Sequence, residues 1–144
     1  GLRAVGRLGS RSSSKEDRKP VKERRLAKVY EAAQHVKGTK QSSLLYEAAI
    51  IERTLGNNDN AAATITAALV ANPNNFQMRL VHIDLALASG DTTTAKKEID
   101  WCLLRRPDSQ KLQGRIQRLK QLRIEQASMP TALNKSVGTP GARR

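Results

Sequence analysis

Residues 56–75 read GNNDNAAATITAALVANPNN, and residues 90–109 read GDTTTAKKEIDWCLLRRPDS. Few letters coincide, but the kinds of residue do. Gly56 and Gly90 stand 34 residues apart, and so do Ala61 and Ala95, Ile65 and Ile99, Leu69 and Leu103, and Pro73 and Pro107. Each position has a physical use. A glycine ends one helix in a left-handed turn that a Cβ would penalise. The alanine lets two antiparallel helices approach closely, and the aliphatic residue four positions on fills the gap between neighbouring units. The proline cannot continue a helical hydrogen-bond ladder, so it ends the second helix and redirects the chain. A fixed interval of this kind marks a repeated helix–turn–helix unit.

Working outward from this pair, the spacing predicts six helices. Val21–Lys37 carries a stripe of Leu26, Val29, Tyr30, Ala33 and Val36, and Gly38 stops it. Ser42 or Ser43 then caps a second helix that runs to about Leu55. Helices follow over Asn60–Ala71, about Asn75–Ser89 with Leu80, Ile83 and Leu87 on one side, and Thr92–Arg105 capped by Asp91. The sixth, about Gln110–Ala127, is capped by Asp108 or Ser109 and carries Leu112, Ile116, Leu119 and Leu122 on one stripe. No stretch alternates at period two, so strands are not expected. Residues 1–20 read as a basic Gly/Ser/Arg-rich arm, 21–127 as the helical domain and 128–144 as a basic flexible tail.

In these units the sequence resembles the tetratricopeptide repeat (TPR) family. The pattern A-x3-F…P appears as Ala61-x3-Ile65…Pro73 and again as Ala95-x3-Ile99…Pro107. The resemblance covers residues 42–109, with the sixth helix in the place of a capping helix. The first helix of each unit departs from the family pattern. The large aromatic position falls on Leu45 and Arg79, the small glycine on Ala49 and Ile83, and the tyrosine on Glu52 and Ala86. The resemblance implies an all-α solenoid of antiparallel helix pairs, with the first and sixth helices supplying the packing that two repeats lack. It also implies a peptide groove lined by Tyr46, Ile50, Arg53, Leu80, Asp84 and Leu87, continued by Lys111 and Arg118 of the sixth helix. Judged on hydrophobicity alone, Ile50, Leu80 and Leu87 are core residues. Arg53 and Asp84 are better groove residues, because a charge amid an apolar face needs solvent or a partner. The family's carboxylate clamp of Lys and Asn is not recognisable.

Charge is unevenly distributed. The chain of 144 residues holds 26 Lys+Arg against 13 Asp+Glu, a net +13. Residues 1–40 carry 12 basic and 4 acidic side chains, residues 41–110 carry 6 and 8, and residues 111–144 carry 8 and 1. Basic ends therefore flank a slightly acidic middle, the pattern of arms that seek an anionic surface. The candidate anion-binding residues are Arg3, Arg7, Arg11, Lys15, Arg18, Lys19, Lys22, Arg24, Arg25 and Lys28 at one end. At the other they are Lys111, Arg115, Arg118, Lys120, Arg123, Arg143 and Arg144. Phosphate backbones reward such surfaces through counterion release. With only 3% aromatic residues, stacking along single strands is poorly supported. Structured RNA fits better.

Other chemistries find little to stand on. The single cysteine, Cys102, excludes an internal disulfide, and with the distant His35 and His82 it forms no zinc cluster. Cys102 occupies a small-residue position and reads as a buried inert thiol. Trp101, near Arg105, reads either as a partner hot spot or as packing beneath a neighbouring helix. No phosphate loop, carboxylate pair or nucleophile–base grouping appears, so an enzyme is not expected, and neither is a cofactor or a small-molecule substrate. No run is long and apolar enough to cross a membrane. Residues 1–14 hold three arginines and no acid, which is the composition of a mitochondrial transit segment or its remnant, or of a plain basic arm.

Two functions are expected. One is a non-catalytic scaffold subunit of a large ribonucleoprotein, of mitochondrial-ribosome kind in its most specific form and placed in the matrix. Its body would meet protein neighbours and its arms RNA. The other is a peptide-binding adaptor or assembly chaperone of a membrane, secretion, pilus or respiratory complex, its arms on an anionic membrane or acidic protein. A bacterial or eukaryotic cytoplasm suits either.

Overall fold

The structure, a computed structural model, describes residues 15–129. They form six α-helices: α1 Lys15–Ala33, α2 Gly38–Thr54, α3 Asn58–Ala71, α4 Phe76–Ser89, α5 Thr92–Arg105 and α6 Gln110–Ala127. No strand occurs among the described residues, so the fold is all-α. The helices divide into two compact units, up to Met78 and from Arg79 onward.

The 34-residue interval is written into the backbone. At the end of α2, Asn57 N–H donates to the Glu52 carbonyl and Gly56 N–H to that of Arg53. At the end of α4, Asp91 N–H donates to Ala86 and Gly90 N–H to Leu87. Both are the paired bonds of a Schellman turn, and both need the positive φ of Gly56 (85°) and Gly90 (80°). The second helices start alike, at Asn57 (φ −90°, ψ 68°) and Asp91 (φ −84°, ψ 82°). They stop alike too, at Asn72 (φ −149°, ψ 81°) and Arg106 (φ −141°, ψ 74°), each just before its proline. The register even reaches α6. Asn75 Oδ1 accepts from Met78 N–H at the start of α4, and Ser109 Oγ from Leu112 N–H at the start of α6.

Burial follows the same interval. On α3 the buried residues include Ala61, Thr64, Ile65 and Ala68, and on α5 they are Ala95, Glu98, Ile99 and Cys102. These are the i, i+3, i+4, i+7 positions of one helix face. Leu69 is buried, whereas its counterpart Leu103 is half-exposed.

In the first unit α2 and α3 run antiparallel, since Ser42 at the start of α2 donates to the Ala68 carbonyl near the end of α3 at 2.8 Å. Val29, Ala48 and Ile51 join α1 to α2, with Leu26, Tyr30, Leu44 and Leu55 packed around them. In the second unit α4 buries Leu80, Val81, Ile83, Leu85, Ala86 and Leu87, so most of its circumference is covered. Arg79, His82 and Asp84 interrupt this apolar surface and are half-buried. α6 buries Leu112, Leu119 and Leu122 and leaves Ile116 half-buried.

Four boundaries differ from the sequence reading. α1 starts at Lys15, inside the expected arm, and contains Pro20. Proline's fixed φ is helical, but at the sixth residue of the helix its missing N–H removes one ladder bond and its ring crowds the carbonyl four residues before it. α1 also ends at Ala33 rather than Lys37, because the chain tightens there. Gln34 N–H reaches both Tyr30 and Glu31, His35 N–H reaches Ala32, and the Gln41 amide caps the Ala33 carbonyl at 3.0 Å. α2 begins at Gly38 (φ 65°) with no side-chain cap. Ser42 and Ser43, the two expected caps, both lie within the helix, and the buried Ser42 satisfies Ala68 and touches the Met78 sulfur at 3.3 Å. α3 opens at Asn58, two residues earlier than expected.

Candidate functional site

The densest chemistry lies on the α4–α5 hairpin. Glu98 is buried on α5 and accepts from Arg79 Nη1 at 2.7 Å and meets His82 Nδ1 at 2.5 Å, both from α4. Burial pushes the Glu98 carboxyl up, but the hydrogen bonds and charges of His82 and Arg79 outweigh it and hold the group below the usual carboxylate range. Arg79 also lies over Trp101, its guanidinium carbon 4.4 Å from the ring centroid. Arg105, one turn beyond Trp101, covers the ring at 3.7 Å and donates to the Trp101 carbonyl at 3.0 Å. Two guanidinium groups thus lie over the Trp101 ring. Beneath it Cys102 is fully buried, and burial first, then Glu98, pushes its thiol up to about 11. It stays protonated near neutrality and is no nucleophile.

The equivalent place in the first unit is also polar. Thr64 stands 34 residues before Glu98. Tyr30 donates its hydroxyl to Glu52 Oε2 at 2.6 Å and lies 2.6 Å from Thr64 Oγ1. Glu52 is buried, and its Oε1 has no hydrogen-bond partner. Burial, and after it Glu52, raises the Tyr30 pKa.

The two cationic surfaces sit on α1 and α6. On α6, Lys111, Arg118, Lys120 and Arg123 are exposed. Arg118 stands 3.7 Å from Glu125. Arg115 differs. It grips Asp84 through Nε and Nη2, both at 2.7 Å, and donates Nη1 to the Lys111 carbonyl. This bidentate, half-buried pair ties α6 to α4 and neutralises both charges. On α1, Arg18, Lys19, Arg24, Arg25 and Lys28 are exposed and Lys22 is half-buried. Arg25 is paired with Glu47 of α2. Arg18, Lys19 and Lys22 line a shallow pocket of about 370 Å³ against Thr54 and Leu55 at the end of α2. Lys15 opens α1, and Arg3, Arg7, Arg11, Arg143 and Arg144 fall outside the described residues.

The groove residues separate. Leu80 and Leu87 are buried in the second unit, and Asp84 holds Arg115. Tyr46 and Ile50 are half-exposed on α2, and Arg53 is exposed in its last turn. The i, i+4 spacing of Trp101 and Arg105 is visible in the sequence, but the arrival of Arg79 over the same ring is not. It depends on the α4–α5 crossing. His82 meeting Glu98 is hidden for the same reason.

No helix among the described residues is long and apolar enough to cross a membrane. No protein-family model, curated protein or solved structure matches the chain.

Proposed function

We propose that this chain is a non-catalytic scaffold of tetratricopeptide-like helix pairs that docks on structured RNA through the cations of α1 and α6. The observation that carries this reading is the partition of charge. Net positive charge sits on the first and last helices, 7 basic against 4 acidic side chains on α1 and 5 against 1 on α6, while residues 41–110 hold 6 basic against 8 acidic groups. The repeated Schellman turns, caps and buried faces support helix pairs of one recurring design. A body of this kind offers protein-facing surfaces, and cations at both ends neutralise phosphates without reading sequence. A subunit of a ribonucleoprotein, of ribosomal or mitochondrial-ribosomal kind, is the assembly this suits best, with the basic terminal segments extending the same contacts.

The test is charge removal. A variant with Lys111, Arg118, Lys120 and Arg123 all changed to Gln should keep its helicity and bind a structured RNA at least tenfold more weakly in moderate salt. Unchanged affinity would refute a role for α6.

A peptide-binding adaptor is the second reading. It draws on Tyr46 and Ile50, which stay partly accessible on α2. It is weaker because, of its other expected residues, Leu80 and Leu87 are buried and Asp84 is paired with Arg115.

A further inference from the structure

On the α4–α5 hairpin two guanidinium groups lie over the chain's only tryptophan, and the two are secured in different ways. Arg79 is built in. Its side chain is 17% exposed and bonded to Glu98, which is 7% exposed. Arg105 belongs to the last turn of α5 and is exposed. The contacts that hold it are the stack on Trp101 and one hydrogen bond to the Trp101 carbonyl. Beside it Arg106 is exposed too, and Leu104 is 83% exposed. The ring is therefore covered by one guanidinium that is built in and by one that belongs to a surface side chain.

We propose that Trp101 is a stacking seat for an unpaired nucleobase, with Arg105 as its movable cover. The inference rests on the RNA reading above and names the part of the RNA this hairpin takes. Stacking of a base on an aromatic ring is worth more than an exposed cation–π contact, so exchange of Arg105 for a base is favourable. The displaced guanidinium keeps its charge next to the incoming nucleotide. Its planar fork then matches the flanking phosphate with two parallel hydrogen bonds. The carboxylates of α5 do not oppose this. Glu98 is buried against Arg79 and His82, and Asp100 is bonded to Lys96 at 2.7 Å. In a structured RNA the base would come from a loop or a bulge, where bases are free to leave the stack.

The experiment uses the full chain and two labelled RNAs, a hairpin with a single-stranded loop and a blunt duplex with the same stem. Anisotropy of the RNA label measures affinity, and emission of the one tryptophan is read in the same titration. The hairpin should quench Trp101 emission in step with binding, and the blunt duplex should bind without quenching. Trp101→Leu should weaken hairpin binding by about 5- to 150-fold, the range for losing one stacked base, and leave duplex binding nearly unchanged. Arg105→Gln, a change at an exposed position, should weaken the hairpin by less. If Trp101→Leu loses helicity, the wild-type emission and the Arg105→Gln affinities decide alone. Hairpin binding with unchanged emission, or equal quenching by both RNAs, overturns the stacking seat and leaves the phosphate reading standing. Absence of binding to either RNA overturns both.

Discussion

Replacing three glycines by alanine separates the demands of the turn from those of the helix. Gly56 and Gly90 hold the same place in the two hairpins, at φ 85° and 80°. An L-residue forced into that region costs about 1–2 kcal/mol, of which the stiffer unfolded chain offsets about 0.4–1 kcal/mol. At Gly56 a new Cβ would meet nothing within 4 Å. The cost of Gly56→Ala is therefore conformational alone, about 1 kcal/mol. At Gly90 the Cβ would come 3.3 Å from Gln126 Nε2, and that nitrogen donates to the Gly90 carbonyl at 3.0 Å. Gly90→Ala thus adds the weakening of one hydrogen bond, about another 1 kcal/mol. Gly114 lies within α6 at ordinary helical φ, with open space around its Cβ position. Gly114→Ala should stabilise by about 0.5–1 kcal/mol, because alanine loses less backbone freedom on folding. Thermal unfolding followed by circular dichroism resolves these values, since 1 kcal/mol moves Tm by about 3–6 °C in a chain of this size. The expected order is Gly114→Ala above wild type, then Gly56→Ala, then Gly90→Ala. A neutral Gly56→Ala, or a destabilised Gly114→Ala, would refute the assignment of strain to the repeat turns.

Glu98→Ala should destabilise by about 3–5 kcal/mol, because it removes the buried carboxylate that Arg79 and His82 both meet. Since the folded Glu98 carboxyl is held below its ordinary value, its contribution is complete above about pH 4.3 and is lost as pH falls through the lower folded pKa. Urea midpoints measured from pH 6 to pH 3 should fall for wild type and fall less for Glu98→Gln. Cys102 should resist iodoacetamide at pH 8 in the native protein and react as urea unfolds it; rapid native alkylation would contradict its burial and its high thiol pKa. Tyr30→Phe should cost about 1–3 kcal/mol, since Glu52 and Thr64 both lose the phenol, whereas Glu52→Gln should cost less because it removes a buried charge with an unbonded oxygen. Denaturant unfolding of the two variants side by side checks the order.

The helix pairs were legible because their punctuation is local. Gly56, Pro73, Gly90 and Pro107 each act through the backbone within a few residues, and a turn chemistry repeated every 34 residues needs no tertiary knowledge. The start of the helical body was less legible. Pro20 looks like a boundary, yet its fixed φ is helical and α1 runs through it. Ser42 looks like a cap because serine favours caps, but the carbonyl of Ala68 across the hairpin claims its hydroxyl. The candidate site was legible in charge and not in pairing. Lys111, Arg115 and Arg118 share a face by spacing alone, while the choice of Arg115 as the partner of Asp84 depends on how α6 lies against α4. The same holds for Thr64 and Glu98. One interval places them, and only the facing helix decides which polar network each one completes.

The measurement that tests the account most directly is the affinity of the full chain for a structured RNA across a salt titration, repeated after Lys111, Arg118, Lys120 and Arg123 are changed to Gln. For the wild type, log K should fall steeply and linearly with log salt. In the variant the slope should shrink by about 0.7–0.9 for each phosphate contact removed, with no change in helicity. A weak, salt-insensitive interaction, or identical slopes for the two proteins, would contradict the claim that this scaffold meets RNA through its flanking helices.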